Sequence, residues 1–267
     1  MDRIKIQSQM PSLVAGHIGR NVRAFKFRIF DGVPLRNTLG FVVDPLPFEG
    51  RVVVANDDAI VVKIKPSEFA VLDPALVTEV PREGAKVQVR PYARRRFDGL
   101  RADTPQERTE YAADGTPYTI KTHLLGSARI KLPLPEPQCP ELAALIEQLE
   151  ELRAPDGFRY LSHMLVDAGA QDFICVDPAP AQIIASPPSI SFSVATATFA
   201  GRVTLYYDRG TDTYGVTLER HGELVERCAD VHFDELGQTL EGLIDDGRWR
   251  RIEVCMVPAK TRSVARG

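Results

Sequence analysis

The densest concentration of chemistry-bearing side chains in this 267-residue chain is the segment Arg90-Pro-Tyr-Ala-Arg-Arg-Arg-Phe-Asp-Gly-Leu-Arg101. Guanidinium groups pair with phosphate in a forked geometry, and a neighbouring aromatic ring offers a face on which a nucleobase stacks. Arg90, Arg94, Arg95, Arg96 and Arg101, interleaved with Tyr92 and Phe97, are therefore candidate nucleic-acid-binding residues. Arg20, Arg23, Lys26 and Arg28 extend the set on nearby strands, giving a basic groove. The competing account is a solvated arginine run beside a flexible loop. Arg outnumbers Lys 25 to 8 across the chain, so arginine richness is a general trait here and not a local one.

Other chemistries fail on spacing. There is no Gly-x-x-x-x-Gly-Lys-Ser/Thr phosphate loop, no Gly-x-Ser-x-Gly elbow, no His-Glu-x-x-His and no Gly-x-Gly-x-x-Gly. The five histidines (His17, His123, His163, His221, His232) are scattered. His163 falls off the apolar stripe of its helix and His221 falls in a turn, which predicts solvent positions for both. His17 and His123 share the N-terminal half, but no spacing pairs them. The four cysteines (Cys139, Cys175, Cys228, Cys255) lie far apart, with no Cys-x-x-Cys and no His at ligand spacing. That argues against a zinc site and a disulfide framework. Free thiols in strands pack as small apolar groups, which is the expectation for Cys175, Cys228 and Cys255. No cofactor and no metal are expected, and no catalytic residue is assigned.

The totals describe an ordinary globular chain, with 44% apolar and 26% charged residues. No window approaches eighteen uninterrupted apolar residues, and Met1-Asp-Arg-Ile-Lys-Ile-Gln lacks the apolar run of a signal peptide, so the expectation is a cytoplasmic protein without a membrane span. Charge is unevenly spread. Residues 1–133 carry 21 Lys+Arg against 15 Asp+Glu, a net of +6, and residues 134–267 carry 12 against 21, a net of −9. A basic half joined to an acidic half hints at polyanion contact by the basic part.

The elements that must position these residues read as follows. From Ile4 to Tyr92 the pattern is nearly all strand: Ile4 and Ile6 alternate with Lys5 and Gln7, and Phe25, Phe27 and Ile29 with Lys26 and Arg28. Arg51–Ala55, the turn Asn56-Asp-Asp58 and Ala59–Ile64 form a hairpin, and Phe41–Val43, Phe69–Leu72 and Lys86–Arg90 complete the set. Short strands punctuated by Gly and Pro predict a small barrel or sandwich. Residues 102–116 read as a polar loop, and Pro117–His123 as a strand returning to the barrel.

A proline-rich linker, Leu132–Pro140, leads into a helix with Leu142, Leu145, Ile146, Leu149 and Leu152 on one stripe, expected to pack on its own chain. A second helix carries Leu161, Met164, Leu165 and Ala168 and stops at Gly169. Asp172–Val176 reads as a buried strand, and Pro178–Pro188 as loop. Ile190, Phe192 and Val194 begin a further strand, followed by an antiparallel meander through Gly201–Asp208, Tyr214–Arg220 and Leu224–Val231. A last helix is capped by Asp234, carries Leu236, Leu240, Leu243 and Ile244, and leaves Asp245 and Asp246 at an exposed end. Trp249–Val257 closes the meander. The predicted fold is α+β: an N-terminal small β-barrel-like domain, then a C-terminal antiparallel meander with packed helices. The boundaries are residues 1–131 (basic, β-rich), 132–155 (linker and helix), 156–259 (acidic α+β) and 260–267 (tail).

Gly50-Arg-Val-Val-Val-Ala-Asn-Asp-Asp-Ala-Ile-Val-Val-Lys-Ile-Lys65, within residues 50–92, resembles the small β domain of KfrB-type accessory proteins of bacterial plasmids and integrative elements. That resemblance implies a role in maintenance or transfer of mobile DNA and carries over no catalytic residue. The functional expectation is a non-catalytic binding protein, its basic domain contacting DNA or RNA and its acidic domain contacting a protein. The alternatives are a protein–protein adaptor or inhibitor whose acidic surface imitates nucleic acid, and an enzyme with a site assembled from distant residues.

Overall fold

Asp2 starts the chain's first element by accepting hydrogen bonds from the backbone N–H of Ile4 and Lys5, both at 3.0 Å. The result is helix α1 (Arg3–Val14), not the strand that the Ile4/Ile6 alternation predicts. Ile6, Met10 and Val14 recur every fourth residue and are buried, while Ile4 is 81% exposed. A four-residue apolar spacing wins over a two-residue one because it sustains a face for three turns.

The computed structural model describes residues 1–19, 22–122 and 129–258, so Arg20 and His123 lie outside the described residues. After α1 come β1 (Lys26–Phe30), β2 (Leu35–Arg36), β3 (Val42–Val43), β4 (Phe48–Ala55), β5 (Ile60–Lys65), β6 (Glu68–Leu72) and β7 (Lys86–Arg90). Then follow β8 (Gln106–Tyr111), β9 (Pro117–Thr122), α2 (Pro140–Glu151), α3 (Leu161–Asp167), β10 (Gln171–Val176) and β11 (Ser189–Ala195). β12 (Ala200–Asp208), β13 (Thr213–Arg220), β14 (Glu223–Val231), α4 (Leu236–Ile244) and β15 (Glu253–Met256) complete the chain. The fold is α+β, as predicted.

The chain forms two compact units. The first takes residues 1–35, 44–93 and 249–267. Its sheet has the order β1-β6-β5-β4-β7-β15, with β1 parallel to β6 and the other neighbours antiparallel. This is an open sheet and not a closed barrel. β1 and β15 are its edges, and β9, expected to return to it, pairs only with β8. α1 packs its Ile6, Met10 and Val14 on one face, against Ile29, Val61, Phe69 and Val71. Phe30, Val62, Leu72, Val87 and Val254 build a second core on the other strand-face parity. The predicted hairpin is present as β4–β5, its turn closed by the Asn56 side chain, which accepts from Asp58 N at 3.0 Å and Ala59 N at 2.9 Å.

β15 corrects the expected end of the meander. Glu253, Val254, Cys255 and Met256 pair with Arg90, Val89, Gln88 and Val87 of β7, and Val254 N donates to Thr78 Oγ1 at 3.0 Å. The last strand therefore belongs to the first unit's sheet.

The second unit takes residues 36–43 and 94–248. Its five-stranded sheet runs β10-β11-β12-β13-β14, antiparallel throughout. Leu145 and Leu149 of α2, Leu161 and Met164 of α3, and Leu240 and Ile244 of α4 cluster with Phe192, Val203, Leu205 and Val216. α2 thus packs on its own chain, as its stripe predicts. On β13, Gly215 is required by close approach: a Cβ there would sit 2.1 Å from the Tyr206 ring. β10 is an edge strand with mostly exposed residues, not the buried strand predicted. Both edges of this sheet carry register shifts, with Asp172 on β10 and Asp230 on β14 in the left-handed region at φ 55° and 56°. Bulges of this kind keep edges from recruiting further strands.

Residues 102–116 are not a plain loop, because β8 lies within them and forms a regular two-stranded ribbon with β9. Met10→Ala should destabilise the first unit by about 2–5 kcal/mol, and Ile4→Ala by under about 0.5 kcal/mol. Urea unfolding followed by circular dichroism checks this; equal midpoints for the two variants would mean that α1 does not pack on the sheet.

Candidate nucleic-acid interface

Charge separates along the two units. Over the residues each spans, the first holds 17 Lys+Arg against 11 Asp+Glu, a net of +6, and the second 16 against 25, a net of −9. A polyanion is attracted by the first unit and repelled by the net field of the second.

Of the candidate residues, Arg90, Tyr92, Arg23, Lys26 and Arg28 belong to the first unit, and Arg94, Arg95, Arg96, Phe97 and Arg101 to the second. On β1, Phe25, Phe27 and Ile29 turn toward the α1 core, leaving Arg23, Lys26 and Arg28 exposed. Arg28 pairs with Glu68 at 3.0 Å. Arg90 leaves β7 on the exposed side and pairs with Glu253 of β15 at 3.3 Å.

The β7–β15 pairing adds residues that the sequence reading did not group with this segment. It carries Trp249, Arg250 and Arg251 to the end of β7 where Arg90 and Tyr92 lie. The Tyr92 and Trp249 rings meet edge to face with centroids 4.9 Å apart, and the Arg250 guanidinium lies over the Trp249 ring at 5.1 Å. Arg250 also runs beside Gly32, just beyond β1, where a Cβ would lie 3.6 Å from its Cδ. Arg250 and Arg251 are exposed, and both rings are half-buried. Guanidinium groups interleaved with aromatic rings supply both phosphate pairing and base stacking.

The second part of the arginine segment is built differently. Arg94 is 1% exposed, with its guanidinium over the Phe158 ring at 5.0 Å. Residues 94–102 turn back on themselves, with Arg96 N donating to Leu100 O at 2.8 Å and Ala102 N to Arg94 O at 2.9 Å. Inside that turn Arg96 pairs with Asp98, and Arg101 forks onto Asp103 at 2.8 and 2.7 Å. Phe97 packs edge to face on Phe173 at 5.2 Å. Arg95 stays exposed, donating to Gly99 O at 3.0 Å. Most of this cationic charge is therefore met by neighbouring carboxylates or by burial. Beside the turn lies an open cleft of about 1120 Å³, lined by charges of both signs, including Arg96, Asp98, Arg129, Lys131 and Glu151.

A buried ionic cluster explains where several expected surface groups went. Arg159 is fully buried and pairs with Asp156 and Asp167, both at 2.8 Å, and with Asp245. Burial alone lowers its pKa, but the three carboxylates outweigh that and raise it. Asp245 is thus tied inside, and Asp246 accepts from Ala197 N at 3.0 Å, so neither sits at the open helix end predicted. His163, predicted in solvent, is fully buried. Its Nδ1 accepts from Tyr160 N at 3.1 Å, and its ring stacks on Tyr160. Burial, then the charges of Arg94, Arg159 and Arg153, push its pKa down to about 3. His221 is exposed, as predicted.

Cys175 and Cys228 pack on the core while Cys255 is exposed, and Cys139 is buried. Among the described residues no group of three or more His, Cys, Asp or Glu is placed to hold a metal ion, and no helix is long and apolar enough to cross a membrane. No family model, no curated protein and no solved structure matches the chain.

The His163 environment sets a pH dependence. Above pH 6.5 the imidazole is neutral whether folded or unfolded, so it adds no slope. Between 6.5 and about 3 only the unfolded chain takes up the proton, so stability falls with falling pH. The slope is about 1.4 kcal/mol per unit. His163→Asn, which keeps an acceptor for Tyr160 N, should remove that component from urea unfolding measured between about pH 7.5 and 5, roughly the range in which a free imidazole titrates. An unchanged slope would show that the imidazole titrates freely.

Proposed function

We propose that this is a non-catalytic nucleic-acid-binding accessory protein whose first unit contacts the nucleic acid and whose acidic second unit contacts a protein. The observation that carries the reading is the group Arg90, Tyr92, Trp249, Arg250 and Arg251, gathered by the β7–β15 pairing on the unit of net positive charge. Stacking rings beside guanidinium groups suit unpaired bases, so single-stranded stretches are the proposed ligand. Arg90 and Glu253 are both about half exposed, and such a pair contributes little, so a phosphate readily takes the place of the carboxylate. The resemblance of residues 50–92 to KfrB-type proteins supports a setting in maintenance or transfer of mobile DNA.

Trp249 is the chain's single tryptophan and so reports on this site without labelling. Its fluorescence should be quenched by single-stranded oligonucleotides, and binding should weaken steeply with salt. Arg250→Ala/Arg251→Ala should lower affinity by about tenfold or more and flatten the log–log salt slope by about 1.4. Arg95→Ala/Arg96→Ala should change it little. Titrations at two salt concentrations decide the matter: no quenching at low salt, or loss only in the Arg95/Arg96 variant, removes this assignment.

A further inference from the structure

The β8–β9 ribbon is exposed almost throughout, with Tyr111 71% and Tyr118 46% accessible. Its ion pairs, Arg108 with Glu110 and Lys121 with Glu107, are internal. A two-stranded ribbon with both faces in water is marginal by itself, and a third or fourth strand is what normally secures it. We propose that the outer edge of β8 pairs antiparallel with β8 of a second copy of this chain, forming a four-stranded β9-β8-β8-β9 sheet across a two-fold axis at Thr109. This goes beyond the nucleic-acid reading and does not depend on it.

Three observations support that occupant. First, the ribbon edge is unblunted. All six pairs from Gln106↔Thr122 to Tyr111↔Pro117 run in unbroken register, whereas both edges of the five-stranded sheet carry bulges with left-handed aspartates. Second, the backbone phase is defined. Ala112 N donates to Thr116 O at 2.9 Å. Antiparallel alternation then makes Glu110/Tyr118 and Arg108/Ile120 the bonded pairs and turns the backbone groups of Glu107, Thr109 and Tyr111 outward. Pro117, which has no N–H, falls at an outward position of β9, so β9 is the blunted edge and β8 the open one.

Third, strand overlap and charge together select one two-fold register, since an axis on Gln106 or Tyr111 leaves the two β8 strands overlapping at that residue alone. Centring the axis on Arg108 sets Arg against Arg, centring it on Glu110 sets Glu against Glu, and centring it on Glu107 does the same. Centring it on Thr109 places each Arg108 opposite Glu110 of the other copy. Those are non-bonded pairs, in which side chains approach most closely, and opposite charges there are favourable. The contact is isologous and closes on itself. Two such edges bury much less than the roughly 1,200 Å² of a stable standard interface, so the dimer is a weak one, with a dissociation constant in the micromolar to millimolar range.

Sedimentation velocity of the full chain over a wide concentration range at low salt tests the proposal. Wild type should show a reversible monomer–dimer equilibrium. Arg108→Glu and Glu110→Arg should each weaken it by about tenfold, since two symmetric attractions become repulsions, and the combined exchange should restore it. Thr109→Pro removes the outward N–H without touching the β8–β9 ladder and should leave a monomer. Thr109→Cys in a Cys255→Ser background should cross-link on oxidation, since residues facing across a bonded antiparallel pair lie about 5.5 Å apart at Cα. A monomer at every concentration overturns the proposal. So does a dimer that Thr109→Pro and both charge reversals leave intact.

Discussion

The pairing of β15 with β7 is the contact on which the first unit's sheet depends for its closing strand. It draws residues 253–256 back to the sheet begun by residues 26–90, so the first unit is made from two distant stretches of chain. The strand is short, and its hold is strengthened from the neighbouring loop. Ile252 N donates to Leu76 O at 2.8 Å, Thr78 N to Ile252 O at 3.0 Å, and Ile252 and Val254 are buried in the sheet's second core. Because Arg90 faces Glu253 in that register, the residues preceding β15 are brought to the end of β7. The aromatic and basic group around Trp249 is a product of strand pairing and not of sequence proximity.

Opposite net charge distinguishes the two units. The second unit meets its own arginines with aspartates, most clearly at Arg159, whose three carboxylate partners come from Asp156, Asp167 and Asp245. Around Phe158 and Tyr160, Arg94 and Arg153 are held over aromatic faces, 5.0 and 4.1 Å from the ring centroids. Removing one carboxylate from the buried Arg159 set leaves an uncompensated charge and is far more costly than losing a surface pair. Arg94 and Arg159 of this unit therefore act as internal structure. In the first unit, Arg250 and Arg251 remain at the surface.

The sequence made legible those elements whose partners are local or whose apolar period is sustained. The β4–β5 hairpin, the stripe of α2 and the run of β11 to β14 all followed from periodicity and turn residues. At α1 the two isoleucines two apart predict a strand, whereas the longer spacing Ile6, Met10, Val14, which runs across Pro11, makes a helix. β8 leaves no periodic signal, because a ribbon wet on both faces needs no alternation, and Gln106-Glu-Arg-Thr-Glu-Tyr111 has none. Two of the five residues of the candidate site, Arg90 and Tyr92, are readable from residue type. Trp249, Arg250 and Arg251 read from sequence only as the start of a last strand, and the β15 register is what brings them to Arg90 and Tyr92. The burial of Arg94 and His163 depends on aromatic and charged neighbours from other segments, which no local pattern encodes.

A sheet whose final strand is drawn from residues 253–256 imposes an order on biosynthesis. Residues 94–248, nearly all of the second unit, leave the ribosome while the first unit still lacks β15. The edge of β7 stays unsatisfied through that interval, and the contacts between distant parts of the chain that close it form late. Trp249 and its arginines reach Tyr92 only when that strand docks. Chains cut short before β15 therefore lack the assembled aromatic and basic group, which ties its presence to synthesis through residue 256.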